Sequence, residues 1–222
     1  MDVRLVLKRL LLSLFLVAFI QPTAIAVGDI PRAVVEFSEN NVWRIQHEAG
    51  SEAHGSAVWI DENTALSVCH VAKHYKVVLA TNWDNSKGVA LDVVFCDKET
   101  DIAVLKRHPA DTGGPVTKKI AVGPPPKKGT SLLAIGYPFN FPQVITFGHY
   151  QQKVTEDGKI RHHITVPIQP GNSGGPVITY ENGKITVVGL ITSVFTKRLF
   201  RGSISIGHAT QMTDLNEYIE DA

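Results

Sequence analysis

Short runs rich in Val, Ile and Thr recur down this chain, each bounded by turn residues. They are Val42–Gln46, Lys76–Ala80, Ala90–Cys96, Ile160–Val166 and Lys184–Thr192. β-Branched side chains pack well on a pleated surface, and closely spaced turns close hairpins, so the pattern is that of an all-β sandwich or barrel. A second constraint is Gly123-Pro124-Pro125-Pro126-Lys127-Lys128-Gly129. Proline has no N–H to give a sheet ladder, and consecutive prolines make a stiff spacer. Residues 123–129 therefore read as a linker between a first β unit, 27–122, and a second, 130–222. Near the end, Thr213–Ile219 reads as a short closing helix, with Asp214 and Glu217 spaced as a capping box.

The first 26 residues have a different character. Arg4, Lys8 and Arg9 make a basic start, Leu10–Ile20 is almost wholly apolar, and Pro22 breaks the run before Ala24-Ile25-Ala26. That is the layout of a cleavable signal peptide over residues 1–26. The apolar run is short for a bilayer span. The expected product is exported, periplasmic or secreted, with no stable membrane insertion after cleavage; an uncleaved anchor is the rival reading. The net charge of +1 points to no particular partner. No basic stripe is interleaved with aromatics, so nucleic acid is not expected. Lys197, Arg198 and Arg201 read as a solvated hairpin tip.

The chemistry concentrates in Gly171-Asn172-Ser173-Gly174-Gly175. Flanking glycines leave the serine hydroxyl unobstructed and permit a tight turn whose N–H groups converge. A nucleophile beside converging donors is what acyl transfer needs, provided a base and a carboxylate serve it. Upstream, Gly55–Ile60, a turn at Asp61-Glu62-Asn63 and Ala65–Cys69 form an apolar hairpin that delivers His70 at its exit. Further on, Thr100–Leu105 places Asp101 just before an apolar strand, in competition with Asp92 and Asp97. His70 and His74 have the four-residue spacing of a zinc helix but lack the glutamate of a metalloprotease motif and any evident third ligand. His162 and His163 point to opposite faces of a strand and make a poor chelate. No metal site and no cofactor are expected. Cys69 and Cys96 leave three readings open: a disulfide, two buried thiols, or a reactive Cys69.

These stretches resemble a trypsin-like serine protease of the HtrA (high-temperature-requirement) type. The likeness rests on Gly55–Ile60, the histidine turn, Thr100–Leu105, Ala134–Phe139, Gly171–Val177 and Val188–Thr192, in that order over most of residues 50–210. Chymotrypsin-type enzymes share the order His, Asp, Ser. The resemblance implies an all-β fold of two six-stranded barrels of the chymotrypsin type, followed by the short C-terminal helix. It implies a serine endopeptidase acting on polypeptide substrates, exported or misfolded proteins in particular. His70 becomes the base, Asp101 its orienting partner and Ser173 the nucleophile, with the N–H groups of Gly171 and Ser173 as the oxyanion hole. Thr192 falls where the family has a hydroxyl residue supporting the aspartate. Pro167 stands at the base of the primary pocket, where trypsin has an acid, and Ile191, Ser193 and Val194 fall on its walls. Cleavage after small or medium aliphatic residues follows. Family members often have a mobile activation loop, which would fall over Tyr137–Gln151. They usually add PDZ domains, and the present sequence matches only the protease portion. The alternative is a non-catalytic or latent protease-fold protein that binds polypeptides.

Overall fold

The computed structural model describes residues 29–47, 55–115, 119–156, 158–199 and 202–210. The expected signal peptide (1–26) and closing helix (213–219) lie outside the described residues. The chain from Arg32 opens with α1 (Arg32–Asn41), followed by β1 (Val42–Gln46), β2 (Gly55–Trp59), β3 (Thr64–Val68) and the single turn α2 (Cys69–Ala72). Next come β4 (Val77–Thr81), β5 (Gly88–Asp97), β6 (Ile102–Arg107) and the short β7 (Ala121–Val122). The second half holds β8 (Ser131–Gly136), a 3₁₀ turn (Pro138–Asn140), β9 (Val144–Glu156) and β10 (Lys159–Ile164). It finishes with β11 (Pro176–Glu181), β12 (Lys184–Leu199) and β13 (Gly202–Ala209).

The strands β1-β2-β3-β6-β5-β4 close into a barrel. Trp43, Ile45, Trp59, Leu66, Leu91, Ile102 and Leu105 of these strands are all fully buried, on one or the other face of the barrel wall. The rings of Trp43 and Trp59 meet edge to face, centroids 5.6 Å apart, a geometry their quadrupoles favour. The expected hairpin is present: Val58 pairs with Leu66 and Trp59 with Ala65. Its turn is held by Asp61, whose Oδ1 accepts from the N–H groups of Asn63 at 2.8 Å and Thr64 at 2.7 Å.

The second sheet runs β11-β8-β9-β10-β13-β12-β7, and β12 also pairs with β11. Six of its strands therefore form a ring, with β7 added in parallel to β12. β12 reaches both neighbours because it is long: residues 184–190 pair with β11 and 191–199 with β13. Leu132, Tyr150, Ile164, Val177, Val188 and Ile191 lie in its core. The expected all-β, two-barrel architecture is what the chain adopts.

Two segments differ from the sequence reading, and one element was absent from it. The chain crosses to the second sheet before the prolines, because Ile120 donates to Ile60 of the first barrel while Ala121 already pairs with Thr186. Most of Tyr137–Gln151 is not a loop; from Val144 onward it is the start of β9, paired with β8. Helix α1 carried only a weak signal, since its buried positions Val34, Phe37, Ser38 and Asn41 have helical spacing but include two polar residues. Asn41 is there to bond, its Nδ2 donating to the Trp59 carbonyl at 3.2 Å. Among the described residues no helix is long and apolar enough to cross a membrane.

His162 is buried on β10 with Nδ1 2.9 Å from the Tyr150 hydroxyl. Burial, aided by the charge of Lys153, pushes its pKa down from 6.5 to about 4. The folded protein thus keeps His162 neutral over a range where the unfolded chain binds a proton, so stability must fall as pH drops from about 6.5 to about 4 and level off below. Denaturant melts at stepped pH should show that slope, reduced in His162→Gln; an unchanged slope in the variant would assign it to other groups.

Candidate active site

The β3–α2 junction and the start of β6 bring His70 and Asp101 together. Val68 pairs with Ile102, so the residues just past β3 and just before β6 are neighbours. Asp101 adopts a left-handed conformation, φ 61°, which aspartate tolerates better than most side chains. Its two carboxylate oxygens are both used on His70. Oδ1 accepts the His70 backbone N–H at 2.9 Å, and Oδ2 stands 2.8 Å from Nδ1. A carboxylate only accepts, so Nδ1 carries a proton, and in the neutral imidazole the lone pair then falls on Nε2. The backbone closes the same ring, Cys69 N–H donating to the Asp101 carbonyl at 3.1 Å.

The competing aspartates have other tasks. Asp92 lies 2.8 Å from His108 Nδ1. Asp97 accepts from the Thr100 hydroxyl at 2.6 Å and from the N–H groups of Glu99 and Thr100, which fixes the turn leading into Asp101. Cys69 and Cys96 are joined in a disulfide, which resolves the three readings in favour of the first.

The nucleophile turn is held by the first barrel. Ser56 N–H donates to the Ser173 carbonyl at 2.7 Å, and Ser56 Oγ donates to the Gly171 carbonyl at 2.9 Å. Ser67 Oγ in turn donates to the Ser56 carbonyl at 2.8 Å. Both serines are fully buried. Sequence reasoning quoted them only as parts of motifs; their role needs the contact between the two halves. The glycines answer to the same crowding. At Gly174, φ 84°, a Cβ would sit 2.1 Å from the Ser56 carbonyl and 2.3 Å from Ser67 Oγ, and at Gly171, φ 96°, 2.3 Å from the Tyr137 carbonyl. Among the described residues the N–H groups of Gly171 and Ser173 donate to no acceptor.

Ser173 Oγ donates to the Thr192 carbonyl at 3.4 Å, and among the described residues no hydrogen bond joins it to His70. The Thr192 hydroxyl is buried and donates to the His208 carbonyl at 3.4 Å, not to Asp101. Of the expected pocket residues, Pro167 is exposed and its carbonyl accepts from Thr146 Oγ1 at 3.2 Å. Ile191 turns its side chain into the barrel core and offers the site only backbone, accepting Gly174 N–H at 2.8 Å. Ser193 Oγ lies 3.1 Å from His208 Nδ1, and Val194 is described only through its pairing with Gly207. A cleft of about 310 Å³ opens beside His70 and Asp101, bounded by Thr192 and by Lys98, Lys159 and Arg161. Tyr137 and Gln143 tie the segment before β9 to β1: the Tyr137 hydroxyl donates to the Val42 carbonyl at 2.9 Å, and Gln143 Nε2 donates to the same carbonyl at 3.0 Å.

Known proteins share this arrangement of strands. Residues 55–190 match the trypsin-like peptidase domain family. A probable periplasmic serine endoprotease, DegP-like, of Ectopseudomonas mendocina (strain ymp) is 29% identical over 188 residues, which covers 80% of this chain and 38% of that protein. The chain thus spans well under half the length of that relative. The HtrA-type protease AlgW, solved with a tripeptide, superposes with a TM-score of 0.67 at 26% identity, over 85% of this chain and 62% of that one. The serine endoprotease from Yersinia pestis superposes with a TM-score of 0.66 at 24% identity, over 88% of this chain and 67% of that one, and speaks for the fold.

Proposed function

The chain belongs to the trypsin-like peptidase family, with a serine endopeptidase domain like those of HtrA/Deg proteases, and from that premise we propose that it hydrolyses polypeptides through an acyl-enzyme on Ser173. The observation that supports this most directly is the double engagement of Asp101 by His70, which leaves Nε2 as a base. On attack, Ser173 Oγ bonds to the scissile carbonyl carbon and its proton passes to His70 Nε2. Asp101 holds the tautomer and offsets the charge of the imidazolium. The N–H groups of Gly171 and Ser173 receive the oxyanion; one such donor is worth about 3 kcal/mol of barrier in a well-studied subtilisin example. Collapse returns the proton to the leaving amine, and water repeats the sequence to release the acid.

The first move is a rotation of the Ser173 side chain away from the Thr192 carbonyl toward His70. Hydrogen bonds of this kind are often unformed without substrate. Exported or misfolded proteins are the proposed substrates and the periplasm the proposed compartment, by analogy with the periplasmic relative. The exposed Pro167 at the pocket base supplies no acid for Lys or Arg side chains, so small or medium aliphatic residues are the proposed preference.

One observation favours a second reading, a latent enzyme: the bond from Ser173 to Thr192 in place of one to His70. Fluorophosphonate labelling of the purified protein, read by intact mass, tests both. A single adduct on wild type and none on Ser173→Ala is expected. Folded wild type that takes no adduct even with unfolded protein present as an activator would overturn the catalytic reading, whereas an adduct only with that activator would establish latency.

A further inference from the structure

Three side chains from β9, β10 and β13 converge beside β12. His163 of β10 and His208 of β13 are cross-strand partners, and their rings stack with centroids 4.9 Å apart and planes 6° from parallel. Glu156, at the end of β9, reaches both. Its Oε1 is 3.1 Å from His163 Nε2 and its Oε2 is 3.6 Å from His208 Nε2. One ligating atom from each residue falls within 4.8 Å of the others. The proposed proteolysis uses none of the three.

We propose that Glu156, His163 and His208 form a binding site for a zinc-class divalent cation. Two imidazoles and one carboxylate are a recurrent donor set for such ions, with a remaining position for water. Ligands about 2.1 Å from a tetrahedral ion lie about 3.4 Å from one another, and the two nitrogen–oxygen separations here bracket that spacing. The two separations are to different carboxylate oxygens, and the stacked rings, 6° from parallel, must turn out of the stack for both lone pairs to meet one ion. Ser193 Oγ stands 3.1 Å from Nδ1 of His208, a contact on the far ring nitrogen of the kind that orients metal-bound imidazoles. The site is reachable from solvent through Glu156, whose side chain is 37% exposed, whereas those of His163 and His208 are 15% and 6% exposed.

Two features of the surroundings compete with the ion. The Arg161 guanidinium lies nearby, its Nη1 3.5 Å from Ser193 Oγ, and repels a cation. The carboxylate is also satisfied if one or both imidazoles simply donate N–H to it. The ion has a structural consequence that plain hydrogen bonds lack. It would fasten β9, β10 and β13 together directly behind Thr192, whose hydroxyl bonds the His208 carbonyl and whose own carbonyl holds Ser173 Oγ.

The experiment is calorimetric titration of the full-length protein with Zn²⁺ alone, with Co²⁺ absorption as a second readout. One ion per chain is expected, with the visible bands of a low-symmetry cobalt site. Glu156→Gln and His163→Ala should each weaken binding by at least about tenfold and bleach the cobalt bands, while His74→Ala at an exposed position leaves both unchanged. Thermal melts establish that each variant is folded, and Glu156→Gln, isosteric at a half-buried position, carries little folding risk. Absence of stoichiometric binding to folded wild type overturns the proposal. So does binding that both variants retain at full affinity, which would place the ion on other histidines.

Discussion

Asp101→Asn is expected to lower kcat by about 10⁴-fold, the loss seen for the equivalent change in the chymotrypsin template, while shifting the melting temperature by only a few degrees. The reason lies in how both carboxylate oxygens are used. Asp101 accepts two N–H groups from one residue, the backbone N–H and Nδ1–H of His70. An asparagine has one acceptor oxygen and one donor group in the same shape. If its oxygen stays on the backbone N–H, its NH₂ faces Nδ1 and drives the proton to Nε2. The imidazole then presents a donor to Ser173 and has no lone pair with which to take its proton. The fold is affected much less, because the Cys69 N–H to Asp101 carbonyl bond is backbone and survives. Peptide hydrolysis measured beside Asp92→Asn supplies the contrast. Asp92 serves His108 instead, so that variant is expected to stay within several-fold of wild type. Asp101→Asn that retained wild-type kcat would show that the His70–Asp101 contact is structural and that the catalytic assignment is wrong.

How legible the molecule was follows from the range of each interaction. The hairpin of β2 and β3 is local: two apolar runs and a turn at Asp61-Glu62-Asn63 sufficed to place His70 at its exit. The strand read from the sequence stopped at Thr192, whereas β12 runs on to Leu199, its second half paired with β13 up to the basic hairpin tip. Ser56 and Ser67 could not be read as supports of the nucleophile turn, because their partners lie in another part of the chain. Thr192 was read as a hydroxyl supporting Asp101, yet its hydroxyl bonds the His208 carbonyl and its own carbonyl accepts from Ser173 Oγ, a choice made by side-chain rotation that spacing does not encode. The Glu156, His163 and His208 group was missed for a similar reason. The sequence puts His162 beside His163, on opposite strand faces, and hides that the true neighbour of His163 is His208 across the sheet.

The two cysteines carry the second large expectation. Val68 and Asp97 both pair with Ile102, one from each side of β6, and α2 then turns Cys69 across to Cys96. Replacing both cysteines by serine is expected to destabilise the protein by about 3–4 kcal/mol, the loop-entropy figure for a link that closes a segment of this length. The cysteines are 27 residues apart, and the segment between them, which the link closes into a loop in the unfolded chain, contains β4 and most of β5. The effect on chemistry should be far smaller than the effect on stability. His70 is next to Cys69, but it is fixed on Asp101 by three further bonds, two of them to the His70 residue itself. Below its melting point the double variant should therefore hydrolyse peptides within several-fold of wild type, while its denaturation midpoint falls. The same split should appear when wild type is titrated with reductant. A loss of kcat at temperatures where the variant is still folded would reverse this assignment: the disulfide would then be what positions His70, and the carboxylate clamp would be insufficient without it.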